Sequence, residues 1–333
     1  MKALVTGASG FIGSTLIELL NRQGIEVRAL MRQSSSEINL QGLHYERVTG
    51  DVLDYDSLCR AVEGCDYVFH LAGLIAAKDT HEYFRYNAEG TQLLAKAAAA
   101  QASGLKRFVF VSSLAAGGPA TSLGPRKETD PDQPVSAYGK SKLAGEKFLL
   151  QFKSRFPVII VRPPMVYGPK DKATLILVRT AAKKIIPLVS ARSPDRQKYY
   201  SLIHAADLAK VICEAGTGEF PNFESGGVYY ASSGEIVTYQ HLMEIICKHL
   251  AIEPVRIRVP VGVLKFVAWI LTRISKVTGR QFMLNEDKMN EIIPDYWTCS
   301  NLKMVSDFNF EPEYDLNQGM ANAVGWYKKQ GWI

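Results

Sequence analysis

The first thirteen residues constrain the fold more than any other segment. An apolar run, Ala3-Leu4-Val5, leads into Thr6-Gly7-Ala8-Ser9-Gly10-Phe11-Ile12-Gly13, and then into Leu16, Ile17, Leu19 and Leu20 at helical spacing. This order predicts a strand, a tight turn and a helix. A glycine triplet alone is a weak signal, but here it opens a strand–helix unit, which is the context a dinucleotide site requires. Gly7 permits the turn, Gly10 lets the backbone approach a pyrophosphate, and Gly13 lets the helix pack closely on the strand. The N–H groups and partial positive charge of the helix start suit an anion. Candidate cofactor contacts here are Gly7, Ser9, Gly10, Phe11, Ile12 and Gly13.

A second strand is expected at Glu26-Val27-Arg28-Ala29-Leu30-Met31, and strands alternate with helical patterns through residue 165. That alternation is the signature of βαβ units and a parallel sheet. Phe108-Val109-Phe110-Val111 and Val158-Ile159-Ile160-Val161 are solidly apolar, as strands covered on both faces must be. The expected fold class is α/β: a Rossmann-type, doubly wound parallel sheet with a smaller C-terminal lobe. Residues 1–168 would form the dinucleotide-binding domain, with chain returning to it near 198–232. Residues 169–333 would mainly form the smaller lobe. Residues 115–136, rich in Gly, Pro, Ser and Asp, read as a loop.

The formal net charge of +6 is dispersed and gives no nucleic-acid footprint, though it suits an anionic cofactor. Cys59, Cys65, Cys213, Cys247 and Cys299 are scattered, without CxxC spacing, so we expect buried thiols, no metal site and a reducing compartment. With no charged or cleavable leader, a cytoplasmic protein is expected. Val261 to Ile274 is strongly apolar, but Lys265 and Arg273 interrupt it and it is too short to span a bilayer. It reads as a core or dimer-contact helix, or as the wall of a hydrophobic pocket or an interfacial patch.

Tyr138 and Lys142 stand four residues apart, on one face of an expected helix. With the glycine turn, this pair makes the chain similar to the extended short-chain dehydrogenase/reductase family, also called the NAD-dependent epimerase/dehydratase family. Further matches follow in order: Gly50-Asp51-Val52, His70-Leu71-Ala72-Gly73, Asn87-x-x-Gly90-Thr91, Val111-Ser112-Ser113, Arg162-Pro163-Pro164-Met165-Val166-Tyr167-Gly168-Pro169, and Ile203-His204-Ala205-Ala206-Asp207-Leu208. They point most toward the dihydroflavonol-reductase-like and 3β-hydroxysteroid-dehydrogenase-like branches. The resemblance implies cofactor contacts at Asp51, Val52, Leu71, Ala72, Gly73, Asn87, Pro163 and Val166. It also implies that the C-terminal lobe binds a small-molecule substrate. Helices at about 83–103 and 138–153 are, by resemblance, the pair that would form a homodimer.

The chemistry expected is hydride transfer coupled to proton transfer. Tyr138 would act as the acid or base, with Lys142 lowering its pKa from about 10 and, by resemblance, holding the nicotinamide ribose. Ser113 would hydrogen-bond the substrate oxygen. Family members using NAD usually end the second strand on an acid, whereas here Met31 is followed by Arg32, which can pair with a 2′-phosphate. NADP is therefore favoured over NAD, with Ser34 and Ser35 as possible additional partners. Leu114-Ala115 replaces the acidic pair of the family's dehydratases. Met165 replaces an Asn common in its sugar-nucleotide epimerases. These departures favour a reductase or dehydrogenase over an epimerase, although Arg192, Arg196, Arg256 and Arg258 could grip a diphosphate. A cofactor-binding module without turnover is the third reading, and Ser113, Tyr138 and Lys142 argue against it.

Overall fold

The computed structural model describes residues 1–102, 104–189, 195, 197–220, 223–278, 282 and 284–333. The first half runs β1 (Lys2–Thr6), α1 (Phe11–Arg22), β2 (Glu26–Met31), β3 (Glu46–Thr49), α2 (Tyr55–Val62), β4 (Tyr67–His70), α3 (Thr80–Phe84), α4 (Gly90–Gln101), β5 (Arg107–Val111), α5 (Leu114–Gly117), α6 (Ala137–Leu150) and β6 (Val158–Arg162). A π-helical turn, Arg85–Glu89, joins α3 to α4. The second half runs β7 (Met165–Tyr167), α7 (Lys172–Ala182), β8 (Ile185–Val189), β9 (Tyr199–His204), α8 (Ala205–Thr217), β10 (Gly227–Tyr230), β11 (Ile236–Thr238), α9 (Tyr239–Leu250), β12 (Val255–Val259), α10 (Val261–Thr278), α11 (Glu286–Ile292), β13 (Tyr296–Trp297), α12 (Leu302–Phe308) and α13 (Leu316–Lys329).

Seven parallel strands form the main sheet in the order β10-β6-β5-β4-β1-β2-β3. The order reverses direction at β1, and ligands of open parallel sheets lie beyond the strand ends at such a switch point. Alternation along β1 sends Ala3 and Val5 to one face, where they pack with Leu16, Ile17 and Ile212 of α1 and α8. Leu4 faces the other side, with Leu58 of α2, Leu94 of α4 and Leu149 of α6. Each such buried leucine contributes about 1.5–3 kcal/mol relative to exposure. Gly216 lets α8 press on β4, since a Cβ there would stand 2.3 Å from the Phe69 ring.

Within the stretch expected to return to the nucleotide-binding domain, part of the chain joins the main sheet. β10 joins it beside β6, and α8 covers one face. Residues 199–204, however, pair with β7, β11 and β13 in a separate small sheet. Those strands must pack with α7, α9 and α13 around Tyr167, Met243, Met320 and Tyr327, a core distinct from the two flanking the main sheet. The expected 83–103 helix is also interrupted, by the π turn that carries Asn87.

A buried charge network fixes α6 to the C-terminal edge of the sheet. Glu146 of α6 accepts hydrogen bonds from Ser112 at the end of β5 and from Arg162 at the end of β6. Arg162 also forks onto Asp132, at 2.6 and 3.0 Å. The side chains of Arg162 and Glu146 are 4% and 2% exposed, so neither ion has water as an alternative partner. Arg162→Leu should lower the unfolding free energy by about 3–5 kcal/mol, because it strands a buried carboxylate. Urea denaturation tests this, and a loss below about 1 kcal/mol would contradict the assigned importance of the network.

Candidate active site

The glycine turn behaves as its spacing predicts. Gly7 adopts φ +71°, and a Cβ there would meet the Leu71–Ala72 backbone at 2.8 Å. A Cβ on Gly13 would lie 2.2 Å from the Gly7 carbonyl oxygen. Helix α1 begins without a side-chain cap and without an acidic residue in its first turn. Its first N–H groups, at Phe11, Ile12 and Gly13, therefore retain anion-binding capacity. Above it opens a cleft of about 330 Å³ whose walls include Gly7, Ser9, Gly10, Arg32, Asp51 and Val52, and Leu71, Ala72 and Gly73 on the opposite side. An uncapped helix start beside a glycine-lined cleft fits a nicotinamide dinucleotide. Arg32, exposed, and Ser35 both line this cleft.

Asn87, Pro163 and Val166 do not line this cleft. The Asn87 amide donates to the Leu74 carbonyl and the Ser141 hydroxyl, at 3.0 and 2.9 Å, and its oxygen accepts from the Leu74 N–H at 2.7 Å. It ties the loop after β4 to α6. The Pro163 carbonyl accepts from the Leu114 N–H at 2.8 Å, holding the turn after Ser113. Val166 packs on the core of the main sheet.

Sequence reasoning missed a relay that connects these parts. The Ala72 N–H donates to the Thr6 hydroxyl, which lies 2.7 Å from His70 Nδ1. His70 Nε2 lies 2.9 Å from the Thr91 hydroxyl, which donates to the Asn87 carbonyl. One proton order satisfies the whole chain: Thr6 donates to Nδ1, and Nε2–H donates to Thr91. Burial pushes the His70 pKa down to about 3, so the ring stays neutral as that order requires. Thr6, His70 and Thr91 thus brace the cleft against α6. His70 and Thr91 stood in recognisable motifs, but nothing in their spacing showed that they touch.

Ser136 caps α6 by accepting from the Gly139 N–H, placing Tyr138 in the first turn. Tyr138 and Ser113 line the same cavity, so the two expected catalytic residues are brought together. Lys142 lies one turn on, with its ammonium turned to the sheet. It donates to the Val111 carbonyl at 2.8 Å and lies 4.5 Å from the Phe110 ring centre. The open carbonyl at the end of β5 supplies a buried acceptor that a phenol one turn away does not. Burial lowers the Lys142 pKa to about 8, opposed by Glu146. Burial raises the Tyr138 pKa, opposed by Ser113 and reinforced by Glu291. Gly73 opens the space between Lys142 and Asn87, since a Cβ there would stand 2.9 Å from Asn87 Oδ1 and 3.5 Å from Lys142 Nζ.

The cavity that Tyr138 and Ser113 share, of about 360 Å³, is walled largely by Leu114, Met165, Leu242, Tyr239 and Trp297. Its charged lining residues, Lys288 and Glu291, pair with each other. Both lie on α11, which docks on the start of α6. Asp287 accepts from the Ala137 N–H at 2.8 Å, and Glu291 accepts from Ser136 at 2.6 Å. No sequence signal announced that contact. Of the four arginines considered for a diphosphate, Arg256 pairs with Glu244, Arg258 is exposed on β12, and neither lines this cavity. Arg192 and Arg196 lie outside the described residues.

The comparisons with known proteins agree with this fold. The profile of the NAD dependent epimerase/dehydratase family matches residues 3–220. A ceramide reductase from Caulobacter vibrioides is 30% identical over 332 residues, covering 99% of this chain and 95% of the relative. A putative dihydroflavonol 4-reductase from Synechocystis is 28% identical over 347 residues, covering 99% and 95%. The solved structure of MoeE5 in complex with UDP-glucuronic acid and NAD superposes with a TM-score of 0.78 at 21% identity, covering 99% of this chain and 100% of that one. The chain belongs to the NAD dependent epimerase/dehydratase family, the extended short-chain dehydrogenases/reductases, a family of nicotinamide-dependent oxidoreductases and epimerases.

Proposed function

We propose that this protein is an NADP-linked reductase or dehydrogenase of a lipophilic carbonyl or alcohol. The observation that carries the reading is the placement of Ser113 and Tyr138 together on the wall of a mostly apolar cavity. The nicotinamide would supply or accept the hydride. Tyr138 would exchange the proton with the substrate oxygen, and Ser113 would donate a hydrogen bond to that oxygen as charge develops. Lys142 is a buried cation near the cleft end that would hold the nicotinamide ribose and, with the ligand in place, favour the phenolate. Asp51 and Val52 would contact the adenine, and Arg32 the 2′-phosphate.

The apolar lining supports a lipophilic substrate. So does the similarity to a relative named a ceramide reductase. A sugar-nucleotide epimerase would need partners for a diphosphate, and the cavity's lysine is already paired with Glu291. The five cysteines are free thiols, which supports a reducing, cytoplasmic setting. A homodimer through α4 and α6 is part of the proposal. Ala95, Ala97 and Ala98 of α4 pack on the sheet, so that contact would use other residues of the helix.

Tyr138→Phe should lower kcat by about a thousandfold or more with NADP affinity changed less than about twofold. Near-native turnover of a confirmed substrate would sink the assignment. Arg32→Ala should weaken NADP by at least about tenfold and NAD by far less, read by fluorescence titration. Equal losses would reject the 2′-phosphate role. Folding lowers the Lys142 pKa from 10.5 to about 8, so the unfolded chain binds more protons across that interval. The penalty is fully present below about pH 8 and fades toward 10.5. The stability difference between Lys142→Met and the native protein should therefore shift in favour of the native protein as pH rises through that window. A pH-independent difference would show that Lys142 is not a buried cation.

A further inference from the structure

The outer face of α10 has the wrong polarity for a helix packed in water. Its inward side carries Leu264, Ala268, Leu271, Thr272 and Ser275, of which only Ala268 is fully buried. Val263, Phe266, Val267, Ile274 and Val277 recur at helical spacing on the opposite side and are exposed. Phe266 is 62% exposed and Val277 88%. β12, leading into this helix, adds exposed Val255 and Ile257. Single exposed apolar residues are ordinary, but a continuous row marks a contact surface.

Charge decides what that surface contacts. Between residues 254 and 285 the sequence carries Arg256, which pairs with Glu244, together with Arg258, Lys265, Arg273, Lys276 and Arg280, and no Asp or Glu. Trp269 stands beside the apolar row, 45% exposed, with the Arg273 guanidinium 5.4 Å from its ring centre. Apolar residues flanked by cations and an aromatic suit the interface of an anionic bilayer. Among the described residues, no helix is long and apolar enough to cross a membrane, so α10 would lie on the surface. Its inward face is close to the chemistry. Leu271, Thr272 and Ser275 line a cavity of about 230 Å³ with Tyr83 and Ala137, and the Tyr83 ring centre is 6.0 Å from that of Tyr138. The Thr272 hydroxyl accepts from the Glu286 N–H at 3.0 Å, joining α10 to α11.

We propose that the outer face of α10, with β12, docks on an anionic lipid bilayer, from which the enzyme takes its substrate. The docking stands on the surface alone, and the substrate's origin rests on the reading of the site as a reductase of lipophilic carbonyls.

The test is flotation of the full chain with phosphatidylcholine vesicles, with and without phosphatidylglycerol. The native protein should float with the anionic vesicles and be released by high salt. Phe266→Glu with Val277→Glu, and separately Lys265→Glu with Arg273→Glu, should each cut the bound fraction by about tenfold, with NADP binding and melting temperature unchanged. A native protein that does not float, or variants that float equally well, overturn the docking. So does a lipid-free dimer that the Phe266 and Val277 substitutions disperse, which would assign the face to a second copy. Vesicle binding without turnover of any carbonyl overturns the substrate's origin and leaves the docking standing.

Discussion

The seating of α6 on the C-terminal edge of the parallel sheet is the constraint on which the rest of the site depends. That helix carries Tyr138, Lys142 and Glu146, one turn apart and with three tasks. Glu146 is clamped by Ser112 and Arg162 at the ends of two adjacent strands. Lys142 is drawn to the Val111 carbonyl between them, and Tyr138 is left at the cavity wall against Ser113. Each contact fixes the rotation of α6 relative to the sheet. A helix free to roll by one residue would carry the phenol away from Ser113 and the ammonium into the apolar layer.

The cofactor cleft is braced to the same helix. The relay from Ala72 through Thr6, His70 and Thr91 to Asn87 crosses from the glycine turn to the π turn. Asn87 then bonds the Leu74 loop on one side and Ser141 of α6 on the other. Every polar group in this buried chain has a partner, which gives it rigidity rather than strain. The π turn belongs to this scheme: it sets Asn87 where both the loop and α6 can be reached.

Much of this was legible in the sequence, for identifiable reasons. The glycine turn was readable because its three positions are set by local backbone geometry. The parallel sheet was readable because strands covered on both faces, such as Val158–Val161, must be apolar throughout. Local spacing also put Tyr138 and Lys142 on one helix face, but it could not show that the Val111 carbonyl, 31 residues upstream, accepts from Lys142. The α11 clasp was illegible for the same reason. Asp287 and Glu291 meet α6 from about 150 residues away, and an acidic residue on a short helix carries no mark of the N–H it will accept. Residues 199–204 lie in the stretch expected to return to the nucleotide-binding domain, and nothing in their pattern showed that they pair with β7, β11 and β13.

The central claim is that this site moves a hydride between the nicotinamide and an apolar substrate while Tyr138 moves the proton. The most direct measurement is single-turnover transfer from NADPH deuterated at the nicotinamide C4, with lipophilic ketones and aldehydes as acceptors. The account predicts one deuterium on the carbinol carbon of the product for each cofactor oxidised, and none with Tyr138→Phe. Product formed with the reduced cofactor fully retained, or deuterium transfer undiminished without the phenol, would contradict it.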